Sequence, residues 1–394
     1  GGLKIGYLKT FNIVYSQFLT TISANALIYL QITLLIKHFT SIAPLVYMTI
    51  LQLLVIVPWG IIFTRLYRFL YPARKALLVY GERTVDVFVG KANTRNDRFI
   101  ITKKIDYREG FDAVAKCAKQ SEAVILCDLP SEIRNTILKF CYSQSIRVYV
   151  TPKLSDIIIR SAEDSHLIDS PLLLSRNNGF TFEQRFFKRA VDIILTLALL
   201  FVFSPIMLVT ALAIKLYDRG PVLFLQERYT KGEQKFMIYK FRSMKINSDS
   251  IKYVPTMEDD PRVTPVGRVI RQLRIDEMPQ FFNILKGEMS LIGPRAESVK
   301  LTDAYVRDIP EFKYRLKVKS GLTGYAQVHG KYNTTPYDKL KLDLMYIQNY
   351  SWLMDMEIIF LTVKILFMKD STEGFTEEQC ATLDIEEAKN GTKK

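Results

Sequence analysis

Cysteine and histidine are scarce in this chain of 394 residues. The four cysteines, Cys117, Cys127, Cys141 and Cys380, form no Cys-x-x-Cys pair. That removes the usual zinc and redox signatures and points to reduced thiols in a cytosolic setting. The three histidines, His38, His166 and His329, are too dispersed for a zinc site. No Gly-x-Gly-x-x-Gly occurs, so dinucleotide binding has no support. Nothing resembles a nucleic-acid motif, and there is no internal repeat.

Charge is also missing, but locally. Asn12 to Ile36 contains no charged residue, and neither does Phe39 to Thr64. Each is longer than the roughly 20 apolar residues that cross a bilayer core of about 30 Å. Only Lys37-His38 lies between them, which predicts a tight transmembrane hairpin. Lys4 and Lys9 precede it, and Arg65, Arg68, Arg74 and Lys75 follow, so both outer ends are expected in the cytoplasm. The chain opens Gly-Gly without an initiator methionine, so further spans upstream are expected, in a number the sequence does not fix.

A third uncharged run extends from Ile193 to Ile214. Its flanks are basic on both sides: Arg185, Lys188 and Arg189 before, Lys215, Arg219 and Arg228 after. A true span should be flanked asymmetrically. Ser204-Pro205 falls in its middle, and proline removes a main-chain hydrogen bond there. Two readings follow: a kinked span, or a helix that breaks at Ser204-Pro205 and returns to the same face. A span would place everything after Lys215 outside the cell, away from nucleotide-activated substrates. The re-entrant form, over residues 188–215, is therefore the expectation.

What the chain has in excess is positive charge, a formal +14 with a pI of about 9.4. Beside apolar segments, this favours an anionic membrane and a phosphorylated substrate over nucleic acid. Between the hairpin and the third run, strands are predicted at Ala76–Tyr80, Phe99–Ile105, Ala123–Cys127 and Arg147–Val150. Helical patterns fall at Phe111–Lys119 and Ser131–Tyr142. Such alternation predicts a parallel α/β sheet, here read as a spacer or regulatory domain. Ser170 to Thr181 reads as a linker. Ile358 to Met368 is apolar but short for a span, and is expected on the catalytic core or at the membrane interface.

The stretch from Ile275 to Gly287 carries the chemistry. Asp276 and Glu277 stand side by side where a helix is predicted to start, with Pro279 suited to its first turn and Gly287 to its end. A helix N-terminus would keep Asp276 ionised and hold a phosphate nearby. The bland alternative is an acidic helix cap. Arg268, Arg271 and Arg274 upstream and Gly293-Pro294-Arg295 downstream tilt the choice. Cations gathered around such a carboxylate suggest phosphoryl chemistry with a carboxylate nucleophile.

From Arg185 to about Asp370 the chain resembles the bacterial sugar transferases, the monotopic polyprenyl-phosphate hexose-1-phosphate transferases. The matching stretches are Phe187-Lys188-Arg189-Ala190-Val191-Asp192, Ser204-Pro205, Gly220-Pro221-Val222, Lys240-Phe241-Arg242-Ser243-Met244, Asp259-Asp260-Pro261-Arg262-Val263-Thr264, the Asp276-Glu277 block, Lys286 to Arg295, and Gly321 to Val328. Ala296 and His329 depart from the pattern, which commonly has Pro and Asn there. His329 is read as structural or as tuning the substrate, not as a base.

The resemblance implies transfer of a sugar-1-phosphate from a UDP-sugar to a polyprenyl (undecaprenyl) phosphate, with release of UMP. This is the initiating step of capsule, exopolysaccharide or O-antigen synthesis. Asp276 would be the nucleophile, forming a phosphosugar–aspartyl intermediate. Glu277 with Asp276 would hold Mg2+. Arg271 and Arg295 match phosphate-binding positions, with Lys240 and Arg242 weaker candidates because a basic pair on a strand is often a solvated face. The larger members make a homodimer an expectation, and the implied location is the cytoplasmic face of the bacterial inner membrane.

The expected fold class is an α/β membrane protein. It has transmembrane helices over 1–72, a Rossmann-like α/β domain over 73–170, a linker over 171–184, a catalytic domain with a re-entrant helix over 185–370, and a polar tail over 371–394. Two other readings stay open. One is a metal-dependent glycosyltransferase using Glu258-Asp259-Asp260 and releasing UDP. The other is a non-catalytic regulator of polysaccharide assembly.

Overall fold

The computed structural model describes residues 10–81, 88–90, 92, 98–167, 170–175, 179–245, 262–330 and 334–366. Backbone packing divides the chain into two units, Gly1–Pro152 and Lys153–Lys394. The acidic run Glu258-Asp259-Asp260 and the tail from 371 lie outside the described residues.

The first unit opens with α1 (Thr10–Ile36) and α2 (Ala43–Leu70). Both are long and apolar enough to cross a membrane. Helix α2 starts at Ala43 rather than Phe39 because Pro44 fits only the first turn. The connection is thus longer than Lys37-His38, and Lys37 turns it with φ 58°. The seam between the helices is polar and close. Asn25, 3% exposed, donates to Thr49 Oγ1 and Gln52 Oε1, both at 2.8 Å. At Gly60 a Cβ would lie 2.7 Å from Val14 Cγ2. Small and hydrogen-bonding residues hold apolar helices together where hydrophobicity cannot discriminate between partners.

A four-stranded parallel sheet follows, in the order β2-β1-β3-β4. Its strands are β1 (Arg74–Tyr80), β2 (Phe99–Asp106), β3 (Ala123–Cys127) and β4 (Arg147–Val150). Helices α3 (Phe111–Lys119) and α4 (Ser131–Ser143) connect them. Alternate residues serve the two faces, as the pleat requires. Leu77, Val79, Val124 and Leu126 pack with α3 and α4, while Ala76, Leu78, Ala123 and Ile125 form the opposite face. Gly81, directly after β1, abuts the loop after β3: a Cβ there would stand 2.2 Å from Asp128 O. Cys117, Cys127 and Cys141 are unbridged.

The second unit begins with α5 (Leu154–Arg160) and an antiparallel hairpin, β5 (Glu163–Leu167) and β6 (Ser170–Leu174). The first part of the expected linker is therefore a strand. Helix α6 (Phe182–Asp218) comes next and is the third segment apolar enough to span. Thr181 starts it by a capping box: Thr181 Oγ1 accepts from Gln184 N at 3.3 Å, and Gln184 Oε1 accepts from Thr181 N at 2.9 Å. The expected break at Ser204-Pro205 does not appear as a gap. Pro205 lies inside one continuous helix, and Ser204 Oγ donates back to Phe201 O at 2.9 Å. One proline removes one main-chain bond, which a long apolar helix can absorb.

Both halves of α6 pack on the same body. Leu195, Leu199, Leu200 and Phe203 lie against the main core, and Ile214 is buried with Phe241 and Ile270. Three polar contacts fasten its start. Lys188 pairs with Asp355 at 2.7 Å. Arg189 donates to Ile284 O and Leu285 O at 2.6 and 2.8 Å. Asp192 Oδ1 accepts from Leu291 N at 3.1 Å.

The rest of the unit comprises β7 (Leu223–Tyr229) and β8 (Lys235–Phe241), paired antiparallel, then α7 (Pro265–Gln272) and α8 (Gln280–Lys286). Strand β9 (Ser290–Ile292), α9 (Val299–Asp308), a 3-10 helix (Pro310–Lys317) and β10 (Gly321–Thr323) follow. Helices α10 (Tyr325–His329), α11 (Pro336–Gln348) and α12 (Trp352–Leu366) complete it. Strands β9 and β10 run parallel. They meet at glycines, since a Cβ on Gly321 would lie 2.1 Å from Gly293 N. Helix α12 starts before the predicted Ile358. Ile358 is 1% exposed, whereas Leu353, Phe360 and Val363 face outward.

Candidate active site

Strand β8 supplies the first cation. Phe236 and Ile238 are buried on its inner face, and the period of two puts Lys240 on that same face. Lys240 is thus not on a solvated face. Asn283 of α8, fully buried, fixes the strand beside the helix: Tyr239 N donates to its Oδ1 at 3.0 Å, and its Nδ2 donates to Met237 O at 2.7 Å. Sequence reasoning passed over Asn283, whose signal was a polar side chain set among Phe281, Phe282, Ile284 and Leu285.

Asp276 and Glu277 occupy a 3-10 turn, Ile275–Glu277, that precedes α8. Neither carboxylate caps a helix; α8 starts after Pro279 without a side-chain cap. The expectation that Asp276 opens the helix is corrected here, as is the bland reading of the pair as a cap. Proline at 279 and the left-handed Arg274, φ 56°, tighten the chain into the turn first. Gly287 does end α8 in the left-handed region, φ 86°.

Glu277 is 13% exposed, and its Oε1 accepts from Lys240 Nζ at 2.8 Å and Arg295 Nη2 at 3.0 Å. Burial alone would raise its pKa, but the charges of Lys240 and Arg295 outweigh it and hold the carboxyl well below its ordinary range. Asp276 moves the other way. Burial, then the adjacent Glu277 charge, push it up to about 6, with Lys240, Arg271 and Arg274 offsetting part of the effect. The expected ionising influence of a helix end is therefore not what sets Asp276. Paired carboxylates with separated pKa values are the pattern of a site with divided roles.

Arg295 is about one-third exposed, at 35%, so its guanidinium still reaches solvent while pairing with Glu277. It follows Gly293 and Pro294, whose loop lies against β10 through the Arg295–Gly321 bridge. Arg228 Nη1 donates to Ala296 O at 2.5 Å, so the residue that departs from the usual pattern is tied down. Arg271, on the last turn of α7, bears on Asp276 by charge rather than by a hydrogen bond among the described residues. Arg242 lies just past β8, 8% exposed, with its N–H donated to Val222 O. It is not brought to the Glu277 oxygen. His329 ends α10 with its ring 4.3 Å from Tyr325. Burial pushes its imidazole down, against the charge of Glu357.

Among the described residues no group of three or more His, Cys, Asp or Glu side chains is placed to hold a metal. Asp276 and Glu277 offer hard oxygens, and the second Glu277 oxygen accepts from neither Lys240 nor Arg295. That donor set fits a magnesium ion held by one or two carboxylates and substrate phosphates, not a closed protein cage.

The profile of the bacterial sugar transferase family matches residues 183–369, which contain every side chain of this site. Over 229 residues the chain is 42% identical to a UDP-N-acetylgalactosamine-undecaprenyl-phosphate N-acetylgalactosaminephosphotransferase of Aeromonas hydrophila, covering 57% of this chain and 53% of that protein. Over 202 residues it is 41% identical to a UDP-glucose:undecaprenyl-phosphate glucose-1-phosphate transferase of Klebsiella pneumoniae, covering 50% and 42%. It thus spans about half the length of these two relatives. Over 185 residues it is 40% identical to the exopolysaccharide production protein PSS of Rhizobium leguminosarum bv. phaseoli, covering 45% of this chain and 92% of that protein. With that relative covered almost end to end by the segment that builds the Asp276–Glu277 site, this chain belongs to the bacterial sugar transferase family.

Proposed function

We propose that the chain transfers a sugar-1-phosphate from a UDP-sugar to a polyprenyl phosphate and releases UMP. The observation that carries this reading is a half-buried Asp276 with a raised pKa, beside a Glu277 clamped by Lys240 and Arg295. At pH 7 a carboxyl of pKa about 6 is mostly ionised yet more basic than an ordinary aspartate. That suits a nucleophile.

Asp276 attacks the phosphorus that bears the sugar. An aspartyl–phosphorus bond forms, the bond to the bridging oxygen breaks, and UMP leaves with that oxygen. An oxygen of the lipid phosphate then attacks the same phosphorus and displaces Asp276. Arg295 and Lys240, fixed by Glu277, face the transferring phosphate, and Arg271 from the end of α7 and Arg274 from the turn after it add charge. Bound magnesium would neutralise diphosphate charge, held by Asp276 and Glu277. Arg242, already buried, serves this reading least.

The three apolar helices support a membrane-associated protein, and the proposed location is the cytoplasmic face of the inner membrane, where UDP-sugars are met. A re-entrant path for α6 is supported by the packing of both its halves on one unit. The sheet of the first unit reverses its strand order between β1 and β3, the doubly wound plan of Rossmann-like domains. No Gly-x-Gly-x-x-Gly follows β1, which favours a spacer role.

The test is product identity and timing. With a UDP-sugar and magnesium but no lipid, about one UMP per site should be released, and the peptide containing Asp276 should gain the mass of one sugar phosphate. UDP as product would support an ordinary glycosyltransferase. An active enzyme with neither lipid-independent UMP nor adduct would rule out the covalent step.

A further inference from the structure

We infer that Arg315, backed by Asp343, is a positioning residue for Arg295; the inference rests on the phosphoryl transfer proposed above. A single nitrogen, Arg315 Nη2, lies 3.0 Å from the main-chain oxygen of Arg295 and 2.8 Å from Asp343 Oδ2. It donates to the Arg295 oxygen, while its approach to Asp343 Oδ2 is an ion pair outside hydrogen-bond geometry. The two side chains are 3% and 1% exposed. Arg315 comes from the 3-10 helix and Asp343 from α11, so the pair joins two elements that do not themselves line the site.

A buried ion pair is a poor stabiliser, and apolar residues of similar volume often do as well or better. This pair is not even fully satisfied, because Arg315 Nε is buried without a hydrogen-bond partner. Its use lies in the carbonyl it holds. That carbonyl belongs to the residue whose guanidinium meets Glu277 at 3.0 Å. The next carbonyl, of Ala296, is held by Arg228 from β7 at 2.5 Å. Two guanidiniums from separate elements thus hold consecutive carbonyls and restrain the backbone that presents Arg295. Released from Arg315, the backbone of Arg295 can rotate and carry its side chain off Glu277. A displacement of about 1 Å at such a group is worth on the order of 100-fold in rate.

The experiment uses the full chain in lipid nanodiscs, with UDP-N-acetylgalactosamine, UDP-glucose and undecaprenyl phosphate as probes. Arg315→Met/Asp343→Leu replaces the pair by apolar side chains and should unfold within about 5 °C of the parent. Its kcat should fall on the order of 10–100-fold, with KM for the UDP-sugar changed far less. In an Arg295→Lys background the same double change should add little, because it acts through a group already impaired. Fully additive losses would overturn the inference. A second readout needs no turnover: phenylglyoxal should modify Arg295 several-fold faster in the double variant, read by peptide mass. An unchanged rate in folded protein would overturn the positioning role whatever the activity. Should the double variant not fold, Arg315→Lys, which keeps the charge but not the planar fork, should move both readouts the same way. A parent that releases UMP from neither sugar nucleotide would count against the proposed function alone, since the modification rate still decides the role of Arg315.

Discussion

Lys188 and Asp355 meet at 2.7 Å across 167 residues of sequence, each side chain less than one-tenth exposed. Tyr346 donates to the other Asp355 oxygen at 2.8 Å, so the pair knits α6, α11 and α12 together. Asp355→Asn leaves Lys188 buried without its charge partner. It should cost roughly 3–5 kcal/mol, measured by unfolding in detergent. Lys313 and Glu233 are 3.1 Å apart but about half exposed, and Glu233→Gln should cost less than about 1 kcal/mol. Equal losses in the two variants would mean that the buried pair is not holding the anchor.

If Asp276 is the nucleophile proposed above, its raised pKa governs the pH dependence of the first half-reaction. Only the ionised carboxylate attacks, so the rate of the UMP burst should fall as pH drops through about 6. The same shift has the opposite sign for stability. A folded-state pKa above the ordinary 3.8 means that the fold binds this proton more tightly than the unfolded chain does, and stability from this group is lost as pH rises from about 4 to 6. Asp276→Asn should therefore abolish the burst and the adduct while stabilising the protein at pH 7, by up to about 3 kcal/mol. A destabilised Asp276→Asn protein would contradict this account of the site.

Glu277→Gln removes the second-largest cause of the Asp276 shift and frees Lys240 and Arg295 to act on Asp276. The acid limb of the burst should move to lower pH. Both half-reactions should slow by roughly 10–100-fold, as expected when a preorganised charge cluster is loosened. Stopped-flow UMP release across pH separates the two effects, and an acid limb that stays in place would show that Glu277 does not govern its neighbour.

Membrane topology can be read by labelling. Single cysteines introduced after Lys215, for example at Lys235 or Lys313, should resist an impermeant maleimide in intact cells and react after permeabilisation. Reaction in intact cells would require α6 to cross the bilayer.

The strands and helices of the first unit were legible almost to the residue, because each is a short apolar run between polar turns. The two N-terminal helices were legible for the same reason, save that Pro44 delayed the second. The hairpin at 163–174 was not, since Ser170-Pro171 reads as a turn and only the pairing of β6 with β5 makes it a strand. At the site, the local motif marked Asp276, Glu277 and the arginines around them, and the family resemblance singled out Arg271 and Arg295. Neither revealed that Lys240 faces inward, that Glu277 rather than Asp276 takes the cations, or that Asn283 and Arg315 hold the frame. Those depend on which elements the chain brings together over long separations, and no local pattern encodes them.

Helix α6 touches its own domain on either side of Pro205 and is fastened to it by Lys188, Arg189 and Asp192. A body so joined to its keel floats at one waterline. On the proposed re-entrant path, this fastening would keep the carboxylates at a constant height relative to the lipid head groups. Under the proposed function a prenyl carrier would then do the travelling, lifting its phosphate to a fixed berth, and lipids that alter the thickness or surface pressure of that leaflet should change how often it arrives.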